Sequence, residues 1–83
     1  MQIGVEISLY PLNADYIPPI RDFIARLNTE PRIRVVTNAM STQVFGEFAV
    51  VMPLVQTEIA RTFSENAKAV FVMKVLGPLA AES

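Results

Sequence analysis

Between Ile3 and Tyr10 every second residue is apolar: Ile3, Val5, Ile7 and Leu9 alternate with Gly4, Glu6, Ser8 and Tyr10. A strict period of two with β-branched residues predicts a strand buried on one face, and Pro11 ends it. The period then changes. Ile17, Ile20, Phe23, Ile24 and Leu27 recur at helical spacing, with Arg21, Asp22 and Arg26 turned outward. Asp15 is placed to cap this helix, and Pro18 and Pro19 fit its first turn, where a missing N–H costs little. Residues Asn28 to Pro31 close it. Ile33, Val35, Thr37 and Ala39 return to period two, and a short connection around Met40 and Ser41 leads into a third strand from Thr42 to Glu47. Two strands joined so tightly form an antiparallel hairpin. Val51, Val55, Ile59 and Phe63 mark a second helix from Phe48 to Ser64, with Pro53 expected in its first turn and hence a later start than the apolar pattern implies. Lys68 to Leu76 (KAVFVMKVL) is a fourth strand, apolar on both faces except at Lys74, and Gly77-Pro78 reads as its stop.

Strand, helix, strand, strand, helix, strand is an order with few solutions. Right-handed crossovers in both βαβ halves put the two helices on one face of a four-stranded antiparallel sheet. The expected fold is therefore an α+β, ferredoxin-like βαββαβ sandwich spanning residues 1–78 as a single domain, with residues 79–83 as a mobile tail. The first strand lies centrally, between the third and the fourth. The other face of the sheet is left bare. Alternation assigns it Glu6, Ser8 and Tyr10 from the first strand, Asn38 and Met40 from the second, Gln43, Phe45 and Glu47 from the third, and Val70, Val72 and Lys74 from the fourth.

Composition says what such a face is for. The chain of 83 residues is 52% hydrophobic and only 18% charged, with a mean hydropathy of +0.38. Small monomers need more charge than this, because so much of them is surface, and surplus apolar surface most often becomes a subunit interface. The net charge is −1 and the seven basic residues are scattered, which argues against a nucleic-acid partner. No apolar run is long enough to span a bilayer and the N-terminus lacks signal-peptide character, so a cytoplasmic setting is expected. With no histidine and no cysteine, and no Gly-rich phosphate loop or metal-spaced carboxylates, neither catalysis, a metal nor a cofactor is expected.

Two stretches carry a resemblance: ISLYPLNADYIPPI at Ile7 to Ile20 and TNAMSTQVFGE at Thr37 to Glu47, with VEISLYPL (Val5 to Leu12) and NAMST (Asn38 to Thr42) the most specific parts. Over nearly its whole length the chain resembles the YkoF-like thiamine/hydroxymethylpyrimidine-binding family and the related single-domain thiamine-binding proteins. It departs from them at the start of the second helix, where Phe48-Ala49-Val50 offers no capping side chain. The resemblance implies a ferredoxin-like fold, assembly as a homodimer or homotetramer, and non-catalytic binding of thiamine or its pyrimidine moiety.

The candidate ligand residues are Glu6, Ser8, Tyr10, Asn38, Ser41, Thr42, Gln43, Phe45 and Lys74. A carboxylate such as Glu6 can neutralise a thiazolium or accept from an amino group. Tyr10 or Phe45 can stack on either ring, and the hydroxyl and amide groups can read a pyrimidine edge. Each residue also has a plainer role. Glu6 and Lys74 can be a cross-strand pair that sets register, Tyr10 and Phe45 can be interface packing, and Asn38 and Ser41 are residues that turns select anyway. The alternative to a ligand module is a structural subunit whose bare sheet face serves homo-oligomerisation alone.

Overall fold

The computed structural model describes residues 1–65 and 68–80. Its elements are β1 (Gln2–Pro11), α1 (Ile17–Leu27), β2 (Arg34–Thr37), β3 (Thr42–Glu47), α2 (Phe48–Glu65) and β4 (Ala69–Leu79). The strands form one antiparallel sheet in the order β2-β3-β1-β4, with β1 central as the alternation required. This is the ferredoxin-like α+β sandwich.

The period-two face of β1 makes the floor of the core. Ile3, Val5, Ile7 and Leu9 are buried together with Val44 of β3, Phe23 and Leu27 of α1, and Val51 and Val55 of α2. Of the two alternating sets on β3, Thr42, Val44 and Gly46 face inward and are buried, whereas Gln43, Phe45 and Glu47 are not. Phe71 of β4 completes the layer, packing against Phe23 (ring centroids 5.1 Å apart) and edge-on to Phe63 (5.5 Å).

Several local expectations are corrected. Tyr16, not Asp15, occupies the N-cap of α1, and no side chain bonds to that helix end; the two prolines in the first turn reduce the number of N–H groups needing a partner. Strand β2 ends at Thr37 instead of running on to Ala39, because the Asn38 carboxamide oxygen accepts from the amides of Met40 (2.8 Å) and Ser41 (3.1 Å) and folds the chain into the turn. Pro53 sits inside α2, past its first turn. The helix starts directly after β3 without a capping side chain because the Phe48 N–H donates to the carbonyl of Met1 at 2.9 Å.

The buried stripe of α2 also departs from four-residue steps. It runs Val51, Val55, Glu58, Thr62, while Phe63 is half exposed. Steps of four overshoot one turn by about 40°, so a stripe must take a step of three to stay on one face. Finally, β4 does not stop at Gly77-Pro78: it continues to Leu79, which pairs with Gln2 across a register shift. Of the expected tail, Leu79 thus belongs to β4, and residues 81–83 lie outside the described residues.

Candidate functional site

β3 runs out before β1 does. The β1–β3 register ends at Ile7↔Thr42, while β1 continues to Pro11 paired only with β4. Beside this unaccompanied stretch of β1, the Asn38–Ser41 turn and the first half of α1 stand apart, and between them opens a cavity of about 430 Å3. Its apolar wall is Ile7 and Leu9 from β1 with Ile20, Phe23 and Ile24 from α1. Tyr10 and Tyr16 supply aromatic rings, and Ser8, Thr37, Asn38, Ser41 and Thr42 supply polar groups. An apolar wall with a few convergent polar groups, at a volume in the small-molecule range, is the usual make-up of a ligand site.

The ladder also aims backbone groups at this space. The Leu12 amide donates to the Lys68 carbonyl at 3.1 Å, so the even-numbered residues of β1 bond towards β4 and the odd-numbered ones towards β3. The Phe48-to-Met1 bond at the far end of the sheet obeys the same parity. Leu9 therefore turns its N–H and C=O to the side on which β3 has ended. A donor and an acceptor on one residue match the complementary edge of an aminopyrimidine.

Five of the nine residues singled out in the sequence line this cavity: Ser8, Tyr10, Asn38, Ser41 and Thr42. Tyr10 is about half exposed (54%), whereas Thr42 is buried and its hydroxyl lies 3.3 Å from that of Thr37. The Asn38 oxygen is engaged in the turn, which leaves the side-chain NH2 as what Asn38 can offer. Glu6, Gln43, Phe45 and Lys74 do not line the cavity. Glu6 stands directly behind it: the Ser41 hydroxyl donates to Glu6 Oε2 at 3.1 Å, and Lys74 Nζ lies 3.8 Å from Oε1. That places one carboxylate a single hydrogen bond from the pocket, with its other oxygen towards its direct cross-strand partner. Gln43 pairs with Glu6 and Val36 on neighbouring strands, and the Phe45 ring carries the Arg34 guanidinium 4.3 Å from its centroid.

The residues that sequence reasoning did not single out as ligand contacts are the wall itself. Ile7, Leu9, Ile20, Phe23 and Ile24 carry only a core signature, and nothing in their spacing separates a core position from a pocket wall. Tyr16, an exposed aromatic ahead of the proline pair, is the one with a readable signal. The expectation of a ligand on the helix-free sheet face also differs from where the concavity lies, which is the helix side at the sheet's end. Among the described residues no group of three or more acidic, histidine or cysteine side chains is placed to hold a metal ion, and no helix is long and apolar enough to cross a membrane.

Fold and cavity together define a ferredoxin-like domain with a small-molecule-sized pocket at one end of its sheet. No protein-family model and no curated protein matches the chain. Solved structures do. A crystal structure of a Streptococcus pneumoniae protein superposes with a TM-score of 0.87 at 22% identity, covering 95% of this chain and 89% of that one. A candidate thiamine biosynthesis/salvage protein of Thermotoga maritima gives a TM-score of 0.86 at 17% identity, over 99% of this chain and 92% of that one. A domain of unknown function from Bacillus cereus (DUF77) gives 0.71 at 15% identity, over 94% and 77%. At such identities the likeness establishes the fold.

Proposed function

We propose that this domain binds thiamine, or its hydroxymethylpyrimidine moiety, in the cavity between α1 and the Asn38–Ser41 turn, without catalysing a reaction on it. The observation that carries the reading is the cavity: about 430 Å3, apolar along α1, aromatic at Tyr10 and Tyr16, and polar at the turn. Support also comes from the sequence resemblance and from the Thermotoga maritima neighbour. The aminopyrimidine would lie against Leu9, exchanging hydrogen bonds with its backbone and with the hydroxyls of Ser8, Thr37 or Thr42. The thiazolium cation would sit near the tyrosine rings, where a cation–π contact contributes about 0.5–2 kcal/mol, and within the field of Glu6 behind Ser41. The non-catalytic part of the reading comes from the resemblance and from a residue inventory that holds neither histidine nor cysteine. The domain is proposed to act in the cytoplasm as a homodimer or homotetramer.

Isothermal titration with thiamine and with hydroxymethylpyrimidine tests the site. Binding is expected for the wild type and lost in Ile24→Trp, whose indole would fill the pocket from the α1 side. At a ligand concentration one hundred times Kd the native state gains about 2.7 kcal/mol, which raises Tm by roughly 10–20 °C at about 4–8 °C per kcal/mol. No heat and no thermal shift at millimolar ligand would overturn the reading.

A further inference from the structure

The cavity is well supplied with groups that hold an aromatic ring and poorly supplied with groups that hold a phosphate. Phosphoryl groups are bound in proteins by cationic side chains, by the free N–H groups of a helix N-terminus and by the N–H groups of a tight turn. Among the described residues, no side chain lining the cavity carries a charge. Arg21 follows the lining residue Ile20 and yet does not line the cavity, and neither does Lys68, whose carbonyl is bonded to Leu12. The N-terminus of α1 stands at the cavity, since Tyr16 and Ile20 both line it. Its first turn, however, holds Pro18 and Pro19, so two of the N–H groups that such a terminus offers an anion do not exist. Those prolines line a groove with Asp15, Asp22 and Glu65. Arg26 is shared among Asp22, Glu58 and Glu65, which leaves this helix end repulsive to an anion.

The Asn38–Ser41 turn is closed on itself. Asn38 Oδ1 accepts from the amides of Met40 (2.8 Å) and Ser41 (3.1 Å), and the Asn38 amide donates to the Ser41 carbonyl at 3.1 Å. The Ser41 hydroxyl is committed to Glu6 Oε2 at 3.1 Å. On β1, the odd-numbered residues beyond Ile7 turn their backbone to the cavity; Pro11 has no N–H, which leaves Leu9 as the donor. The formal charge bonded to the cavity lining is therefore a carboxylate. Lys74 offsets it only in part, because its Nζ lies 3.8 Å from the other oxygen and its side chain is 81% exposed, where solvent screens it.

We propose that this pocket selects its ligand by charge: it takes the aminopyrimidine or the thiazolium-bearing molecule and refuses the phosphate monoester of either. Glu6 is the positioning residue that favours the cation, acting through Ser41. The proposal rests on the ligand reading above and adds to it the chemical class that is turned away. A phosphate brought beside Leu9 gives up hydration and meets neutral hydroxyls, one backbone amide and a carboxylate one hydrogen bond away. An anion so poorly paired in a partly apolar site is far less stable there than the neutral hydroxyl it replaces. The penalty grows with depth. On hydroxymethylpyrimidine the phosphate hangs one carbon from the ring that lies against Leu9. On thiamine it hangs from the thiazolium side chain, near the half-exposed Tyr10 and Tyr16.

Calorimetric titration of the wild-type protein with thiamine, hydroxymethylpyrimidine and the phosphate monoester of each tests the selection. The expected loss is about a hundredfold or more for the hydroxymethylpyrimidine ester and about tenfold for the thiamine ester, each against its parent. Glu6→Gln keeps an acceptor for Ser41 and removes the charge. It should weaken thiamine about three- to tenfold and narrow the gap between thiamine and its ester, while hydroxymethylpyrimidine, which has no permanent charge, stays within about twofold. Retained hydroxymethylpyrimidine binding shows at the same time that the variant's pocket is folded. Esters that bind as tightly as their parents would overturn the charge selection and leave the ligand reading standing. If none of the four binds, both fall together. Equal weakening of thiamine and hydroxymethylpyrimidine in Glu6→Gln would overturn the role given to Glu6.

Discussion

Arg26 clamps the helix that walls the pocket. Its Nε donates to Glu58 Oε1 at 2.5 Å, its Nη2 to Thr62 Oγ1 at 2.7 Å, and Nη1 bonds to the Asp22 carboxylate. The guanidinium also lies 5.9 Å from the centroid of Phe23, a pocket residue. Only 12% of the Arg26 side chain and 9% of the Glu58 side chain are exposed, so this is a largely buried pair. Removing one partner from such a pair leaves an uncompensated charge at a cost of about 3–5 kcal/mol, whereas replacing both with apolar side chains of similar volume is often neutral or stabilising. Arg26→Met leaves Glu58 only the half-exposed Arg61, 4.0 Å from Oε1, and should cost up to about 3–5 kcal/mol, a large part of the roughly 4–12 kcal/mol expected for a domain of this length. Glu58→Leu should cost less, about 1–3 kcal/mol, because Arg26 keeps Asp22 and can move towards Glu65, now 3.6 Å away. The double variant should fall within about 1 kcal/mol of wild type. Urea unfolding followed by circular dichroism, with linear extrapolation, closes the double-mutant cycle. Additive losses, or an Arg26→Met cost below about 1 kcal/mol, would refute the view that the pair holds α1 by mutual charge compensation.

Two further outcomes follow from particular contacts. A Cβ at Gly46 would lie 3.2 Å from Val51 Cγ2 and 3.3 Å from the carbonyl oxygen of Arg32, and because backbone yields little, Gly46→Ala should destabilise by about 1–3 kcal/mol in the same unfolding assay; an unchanged midpoint would show that α2 can lift off β3 freely. Glu30 accepts hydrogen bonds from the side chain and the backbone N–H of Arg32, which hold its carboxyl below the ordinary 4.5. A lowered folded-state value means the interaction stabilises above pH 4.5 and is lost as pH falls through the folded-state value. In Arg32→Met the NMR titration of Glu30 should move up, and an unmoved midpoint would show that the guanidinium is not the cause.

How much of this protein was legible before folding can be argued from particular residues. The alternation Ile3–Leu9, the helical stripes ending at Leu27 and Phe63, the hairpin around Ser41 and the apolar run Lys68–Leu76, joined by right-handed crossovers, were enough to determine the element order and the strand order, and the polar side chains of Gln43 and Glu47 told which side of β3 faces inward. They rest on local periodicity, and the sequence carries periodicity directly. The apolar character of both faces of β4 was equally visible. Five cavity residues, Ser8, Tyr10, Asn38, Ser41 and Thr42, were picked out by residue type on the strand and turn that carry them.

What only the tertiary structure decided is where elements end relative to one another. That β1 outlasts β3 beyond Thr42, that the Asn38 side chain curls the hairpin tip, and that α1 stands off from both are what open the cavity on the helix side. Each depends on register and helix placement, which a one-dimensional pattern does not encode. The same holds for Glu58 and Thr62, buried where the pattern called for Ile59 and Phe63, because Arg26 from another helix reaches in to satisfy them. Local sequence sets which surfaces an element has; the packing of one element against another sets where they part, and the pocket lies in that parting.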